Sequence, residues 1–514
     1  MARFFNTTGP CDPHWHYMLP PDQRLPNLFP YVERQLYFVL HAPRQTGKTT
    51  AMLDFAEKLR GRGYVALHAS LERSFGMTEV AEAEPTWLWA LHMAGTEQLP
   101  PADCPPDPSL FQGATGTRLS AYLAAWCAHV RRPVVLLLDE TDTVTGHALV
   151  NLLRQLRAGF NHRGPGKFPV TIALIGMRDL RDYLTAAKDG TPVSNKSPFN
   201  IKKDSLTLQN FTFAEIAALY AQHTEETGQP FTSEALEQVW HWTHGQPFLV
   251  NALADLCVRR EDLQGAPITG AHIHEAKKQL ILARTTHIDN LSERLKEERV
   301  AKIVTPVLLG EPDFMIDLDS DDLLYCKDLG LLTLEPRIEA ANPIYREVLV
   351  RLLTQSRQPG LPERTWLRDG KLDVHALVDS FFVWWRRHAD VLRARDTTPY
   401  REAVPQIVFM AWVQKVVNGG GEVGREFALG RGRIDVVIHF AGEIHSFELK
   451  RVTDHDGLET VREEGIAQAL GYLDRLGTSE GWILIFDERA RSWEQKLWKE
   501  ELEVEGKRLH LRGG

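Results

Sequence analysis

Cysteine is scarce in this 514-residue chain: the five (Cys11, Cys104, Cys127, Cys257 and Cys326) stand far apart, with no C-x-x-C spacing. That pattern points to reduced thiols, with neither a disulfide framework nor a zinc site expected. Long apolar runs are lacking too, since none approaches the roughly 18–20 residues that span a bilayer. The start, Met1-Ala-Arg-Phe-Phe-Asn6, has no apolar core of a signal peptide. A cytoplasmic protein with no membrane partner is expected. There is no excess of basic charge either: 59 Lys and Arg face 68 Asp and Glu, a net charge of −9. The overall field therefore neither attracts nucleic acid nor excludes a local basic groove. What remains is ordinary for a globular chain, 43% hydrophobic and 25% charged. Its length exceeds the about 250–300 residues at which single cores stop growing, so several domains are expected.

The organising stretch begins at Leu36-Tyr-Phe-Val-Leu40, aromatic and branched as a buried parallel strand requires. Ala42-Pro-Arg-Gln-Thr-Gly-Lys-Thr49 follows and fits G-x-x-x-x-G-K-[ST], except that Ala42 replaces the first glycine. Candidate phosphate-binding residues are Ala42, Pro43, Arg44, Gln45, Thr46, Gly47, Lys48, Thr49 and Thr50. Gly47 lets the backbone come close to phosphate oxygens, while loop N–H groups and the helix N-terminus supply positive potential. Lys48 would reach the β- and γ-phosphates of ATP, and Thr49 would hold Mg²⁺. A chance G-K-T after an ordinary strand is the bland alternative. Against it stands Pro133-Val-Val-Leu-Leu-Leu-Asp-Glu140, an apolar strand ending in two acids that fits a Walker B element. Asp139 would serve Mg²⁺ and Glu140 would polarise the attacking water. A further buried strand, Pro169 to Gly176, delivers Arg178 to the sheet edge where ligands of open α/β sheets sit. Arg178 is a candidate γ-phosphate sensor, or else a surface arginine paired with Asp179 or Asp182.

Residues 1–205 thus read as a P-loop α/β domain, a parallel sheet with helices on both faces. Its entry is extended and proline-rich, and Phe5, His16 and Tyr17 there either stack on a base or pack on the domain. From residue 206 the pattern turns helical. Thr212 and Glu215 form a capping box, Ser233 to Thr243 is amphipathic, and Pro247 of Gly245-Gln-Pro247 suits a first helical turn. A helical lid over 206–290 is expected, then a winged helix over 291–355 with its hairpin near Pro336. The candidate recognition helix opens Ser320-Asp-Asp322, acids that repel phosphate, so a packing role is favoured over DNA reading. Residues 356–370 have the composition of a linker. In the domain over 371–514, Phe381, Phe382, Trp384 and Trp385 beside Arg386 and Arg387 suit a core helix better than a single-strand grip.

The sharpest inference lies near the end of the chain. Arg433 to Phe440, Ala441-Gly442, and Glu443 to Arg451 read as a β-hairpin with a two-residue turn. That turn sets Asp435 opposite Glu448, Ile434 opposite Leu449, and Val436 opposite Phe447, which makes one face apolar. The other face presents Asp435, Glu448 and Lys450. Opposed β-carbons lie about 4.5–5.5 Å apart and like charges there need compensation, which Mg²⁺ or Mn²⁺ supplies through oxygen ligands. Two carboxylates on a metal with a nearby lysine suit phosphodiester hydrolysis. The metal polarises phosphate and generates hydroxide; Lys450 positions water or stabilises developing charge.

Ala42 to Thr49, Leu138-Asp-Glu140, Gly176-Met-Arg-Asp179, Ser197-Pro-Phe-Asn-Ile201, Gly245-Gln-Pro247 and Asn342-Pro-Ile-Tyr345 together resemble bacterial AAA-ATPase-like proteins. Those are relatives of STAND-like switch ATPases and of origin-recognition ATPases. The resemblance spans about residues 3 to 355. It implies that Gly245 and Pro247 contact the nucleotide base from the lid, that Arg178 senses γ-phosphate, and that a nuclease-like domain follows. No arginine finger is identifiable, because Arg154 and Arg157 look like ordinary helix-surface residues. Asp435 with Glu448-Leu-Lys450 is similar to the PD-(D/E)xK nuclease superfamily, a restriction-endonuclease-like mixed α/β fold. Gln468 and Tyr472, four apart on the following helix, match the Q-x-x-x-Y extension of some members; Glu402 could complete the site from a helix. Arg425, Arg431, Arg433 and Arg451 would contact phosphate.

The expectation is an ATP-dependent switch that controls a metal-dependent nuclease, in defence or mobile-element handling. Its partner is nucleic acid, with DNA expected first and RNA left open, and with room for a protein activator and for oligomers. The rival is a non-catalytic ATP-dependent regulator whose nuclease fold only docks. A translocating motor is the weaker third, since helicase motifs are not evident after Asp139-Glu140.

Overall fold

The computed structural model describes residues 3–21, 24–25, 27–177, 202–283, 291, 293–309, 320–355, 366–368, 371–395, 404–417, 421–424, 436–453 and 457–514. The chain divides into two compact units. One comprises Met1–Thr285 with Leu318–Pro336 and Ala341–Ile344; the other comprises Thr286–Asp317, Arg337–Ala340 and Tyr345–Gly514. The stretch read as a winged helix contributes to both.

The first unit is built on five strands: β1 (Tyr37–His41), β2 (Val65–Ser70), β3 (Val134–Asp139), β4 (Thr171–Gly176) and β5 (Lys202–Thr207). All pairings are parallel, in the order β2-β3-β4-β1-β5. Both faces are covered, which is why the strands are continuously apolar. Tyr37, Val39, Leu136 and Leu174 face one core with Trp87, Tyr122 and Trp126. Phe38, Leu40, Leu137 and Ala173 face the other with Phe55, Ala56 and Leu59. These last three belong to the helix Lys48–Gly61, which is pinned to the sheet by its apolar stripe. With β4 between β1 and β3, the glycine loop after β1 and the acids ending β3 flank one strand end. That order and loop are those of a P-loop nucleotide-binding domain.

Four helices follow in this unit: Phe213–Thr227, Ser233–Thr243, Pro247–Val258 and Gly270–Leu282. The first carries the expected capping box of Thr212 and Glu215. The third begins at Pro247, with Gln246 accepting the Leu249 N–H at 2.7 Å. Phe5 and Tyr17 are buried, the Phe5 ring 5.3 Å from Tyr220 and the Tyr17 ring 5.6 Å from His223. They pack on the first of these helices, the second of the two roles open to them. The helix Asp321–Asp328 keeps Asp321 and Asp322 in its first turn.

In the second unit six strands form a mixed sheet: β6 (Gly421–Gly424), β7 (Val436–Phe440), β8 (Glu443–Val452), β9 (Glu480–Asp487), β10 (Trp498–Val504) and β11 (Lys507–Gly513), ordered β6-β7-β8-β9-β11-β10. The turn Ala441-Gly442 has φ of +50° and +83°, as a two-residue hairpin turn demands. It opposes Phe440 to Glu443 and Val436 to Phe447, the expected register. Val436, Ile438, Phe447, Leu449, Trp482 and Phe486 pack on the helices Val374–Arg395 and Val404–Val417 through Phe381, Trp385, Phe409 and Trp412. The opposite face packs Ile483 and Ile485 against Val461, Ala469 and Leu473 of the helix Leu458–Leu476. Arg386 and Arg387 remain exposed while their aromatic neighbours fill the core.

Phe381 is fully buried, its ring within 4.9 Å of Phe409 and 5.6 Å of Trp412. Phe381→Ala is expected to destabilise the second unit by about 3–5 kcal/mol, read from chemical denaturation followed by tryptophan fluorescence.

Candidate functional site

The loop after β1 turns on two left-handed residues, Gln45 at φ +57° and Gly47 at φ +94°. Gly47 is the N-cap of the helix Lys48–Gly61 and offers no side chain to its first N–H groups, which suits an anion there. The Lys48 ammonium donates to the carbonyls of Ala42 at 2.7 Å and Pro43 at 2.8 Å. Burial lowers its pKa to about 8, against the opposing pull of Asp139 and Asp142.

Thr49 Oγ1 donates to Asp139 Oδ2 at 2.7 Å, across β4. Asp139 is 2% exposed. Burial pushes its carboxyl up, but His68 Nε2 at 3.1 Å, Thr49 and the Glu140 N–H outweigh it and leave the pKa below the usual range. A hydroxyl and a carboxylate side by side are hard oxygen donors, the set that fits Mg²⁺. Glu140 sits at φ +53°, a region costly for a branchless L-residue and found where function holds it. Its pKa is raised, first by burial and then by Glu72, Asp139 and Asp142. Asp142 is raised by burial as well.

Gln246 Nε2, in the turn Gly245-Gln-Pro247, donates to the Gln45 carbonyl at 3.4 Å, which brings that turn to the loop after β1. The Cys11 N–H donates to Thr50 Oγ1 at 3.0 Å. Arg24 donates to the Thr46 carbonyl at 3.1 Å and to the Gln209 carbonyl, with its guanidinium 4.4 Å from the Phe211 ring. Burial lowers its pKa to about 10. Sequence reading missed Arg24 and His68. A histidine within the apolar strand β2 was a usable signal; nothing marks Arg24, which arrives from a proline-rich segment. Arg154 and Arg157 are exposed on the helix Gly146–Phe160. Arg178 lies outside the described residues.

In the second unit, Glu448 is 4% exposed on β8, beside Ile483 of β9. Lys450 Nζ lies 3.1 Å from Glu448 Oε1 and donates to Gln468 Oε1 at 2.5 Å. Alternation on β8 and the facing helix Leu458–Leu476 thus bring three of the expected residues together. Tyr472, one turn beyond Gln468 on the same helix, is buried with Val437, Ile444 and Leu476. Arg451 is engaged by Glu488 at 3.0 and 3.1 Å. Asp435, Glu402, Arg425, Arg431 and Arg433 lie outside the described residues.

No family model and no curated protein matches the chain. Among solved structures it is similar to a Walker-type ATPase of Pyrococcus abyssi, at 13% identity and a TM-score of 0.48, over 67% of this chain and 99% of that one. The RuvB Holliday junction branch migration motor of Thermotoga maritima gives 15% identity and 0.34, over 63% and 91%. Cdc6p from Pyrobaculum aerophilum gives 13% and 0.34, over 65% and 96%. Scores this low carry no argument about activity.

Gly245 has φ +74°, and a Cβ there would lie 1.8 Å from the Phe211 carbonyl oxygen. Gly245→Ala is expected to cost about 2–5 kcal/mol from strain and overpacking together and to weaken nucleotide binding. Gly228, at φ +78° with nothing within 4 Å, is the control: Gly228→Ala should cost only about 1–2 kcal/mol. Thermal unfolding of the two variants separates contact from backbone strain.

Proposed function

We propose that the chain is an ATP-binding and hydrolysing switch that controls a metal-dependent nuclease acting on DNA. The observation that carries the ATPase half is the Thr49–Asp139 contact at 2.7 Å beside the phosphate loop. Backbone N–H groups at Gly47 and the Lys48 ammonium hold the phosphates. Thr49 and Asp139 hold Mg²⁺, which neutralises charge building on the phosphate oxygens. Glu140 takes a proton from the attacking water. Gln246 reports the loop's state to the lid.

The nuclease half rests on the half-buried Lys450 and the exposed Gln468 converging on the buried Glu448, on the expected hairpin register. Glu448 with Asp435 would hold the divalent ion, which activates water for attack on phosphorus. Lys450, oriented by Gln468, stabilises the charge on the phosphate. A second reading, a non-catalytic ATP-dependent regulator, is favoured by one observation: Lys450 itself supplies Glu448 with a counter-charge.

The decisive experiment incubates purified protein with plasmid and single-stranded DNA and with Mg²⁺ or Mn²⁺, with and without ATP. Cleavage that needs metal, falls by about 10²–10³-fold in Asp435→Ala and Lys450→Ala, and responds to ATP supports the switch. Cleavage that survives both substitutions sinks the nuclease site. DNA binding retained without cleavage in any condition favours the regulator. Lys48→Ala should abolish ATP binding, whereas Glu140→Gln should keep it and slow hydrolysis by about 10²–10⁴-fold.

Lys48 also sets a pH dependence. Free Lys48 is cationic below about 8, and phosphate raises its pKa on binding, so ATP affinity is full below that value. Above it, binding must first take up a proton, and affinity should fall toward tenfold per pH unit. Titration of an ATP analogue from pH 7 to 9.5 reads this; a flat profile in Lys48→Arg is expected.

A further inference from the structure

A separate cluster of titratable groups lies in the second unit, on the sheet face opposite Glu448. Glu501 of β10 stands directly across from His510 of β11, which is the neighbour of Trp482 on β9. Trp482 belongs to the core under the helix Val374–Arg395, and that helix brings His375 from its first turn. His510 is 2% exposed and held rigidly: its ring stacks on Trp482 at 4.5 Å and meets His375 edge-on at 4.7 Å. Its Nε2 lies 2.5 Å from Glu480 Oε1. Its Nδ1 is buried, has no hydrogen-bond partner among the described residues, and points to Glu501 Oε1 at 3.4 Å.

We propose that His375, Glu501 and His510 bind a divalent transition-metal ion, with Zn²⁺ the ion that this donor set suits. One donor atom from each lies within 4.8 Å of the others. Ligands about 2.1 Å from a tetrahedral ion stand roughly 3.4 Å apart. His375 and Glu501 are exposed and can rotate by the difference, while His510 is fixed. Glu480 takes the Nε2–H and leaves the Nδ1 lone pair for the metal, the outer carboxylate that orients ligating histidines and raises their basicity. Burial, His510 and Arg512 hold His375 below the usual histidine pKa, which favours the neutral, ligating form.

Other charges face the cluster. Arg512 Nη2 is 4.0 Å from Glu501 Oε1, and its Nε is 3.5 Å from Asp379, which Lys499 also engages at 2.6 Å. Arg512 opposes a cation, yet it is placed to hold the carboxylate of Glu501. The competing account is charge alone: a protonated His510 bridging Glu480 and Glu501. The cysteine spacing gave no reason to expect zinc, because these donors are of another kind. An ion here would tie the start of the helix Val374–Arg395 to the last two strands, with a fourth position open to water.

The test uses the full chain stripped of metal, titrated with Zn²⁺ against a chromophoric chelator and with Co²⁺ followed by visible absorption. One site with a tetrahedral Co²⁺ spectrum is expected. His375→Ala and Glu501→Gln should each weaken it at least tenfold, and Glu480→Gln by about 10-fold or more. Glu448→Gln and Asp139→Asn should leave it unchanged, which separates this site from those of the switch. His375 and Glu501 are exposed, so their variants fold whatever becomes of the buried His510. No Zn²⁺ uptake, or uptake lost in Glu448→Gln or Asp139→Asn but kept in His375→Ala, overturns the proposal.

Discussion

Asp139 is a buried carboxylate, and the first unit is arranged around what it needs. An uncompensated charge at 2% exposure would shift its pKa upward and lose the proton acceptor. Three donors prevent this, and each comes from a different strand end: Thr49 from the helix after β1, His68 from β2, and the N–H of Glu140 on β3 itself. Hydrogen bonds to a charged group contribute about 1.5–3 kcal/mol each, enough together to offset the burial. The order β2-β3-β4-β1 places those donors within reach. His68 must reach Asp139 from a direct neighbour, and Thr49 must reach it over the end of β4. The short residue Gly176 ends β4, where any side chain would meet Asp142 at 3.2 Å.

The strain at Glu140 belongs to the same arrangement. Its left-handed backbone aims the N–H at its neighbour's carboxylate and sends the side chain toward Ser70, 3.4 Å from the hydroxyl. One acid is thereby kept ionised while the adjacent one has its pKa raised. Two adjacent carboxylates with opposed shifts can divide the work of holding a cation and taking a proton.

Much of this was legible in the sequence, for definable reasons. Continuous apolar runs between 36 and 176 gave the parallel strands, because burial on both faces removes alternation. The hairpin register was legible because Ala441-Gly442 forces a two-residue turn, and a slip of one residue would put Val436 and Phe447 in water. Capping chemistry fixed the helix starts at Thr212 and Pro247. What stayed hidden were contacts between segments distant in sequence. Arg24 on Thr46 and Gln209 bridges 185 residues, and no local pattern encodes such a span. Tyr472 shares the helix of Gln468 at a spacing legible in the sequence, while its packing on Val437 and Ile444 comes from strands that no helical spacing encodes. His375, Glu501 and His510 come from three elements more than 120 residues apart at the extremes, so they form no motif at all.

The two acid sites solve the same problem with different chemistry, and the difference bears on control. Asp139 is stabilised by a hydroxyl, a backbone N–H and an imidazole. Glu448, itself 4% exposed, has the half-buried Lys450 ammonium at 3.1 Å, so its charge is partly offset by a fixed cation. A divalent ion at Glu448 would have to compete with Lys450. Gln468 holds Lys450 from the helix Leu458–Leu476, so the lysine is shared between a carboxylate on a strand and an amide on a helix, and its position depends on how the two elements pack.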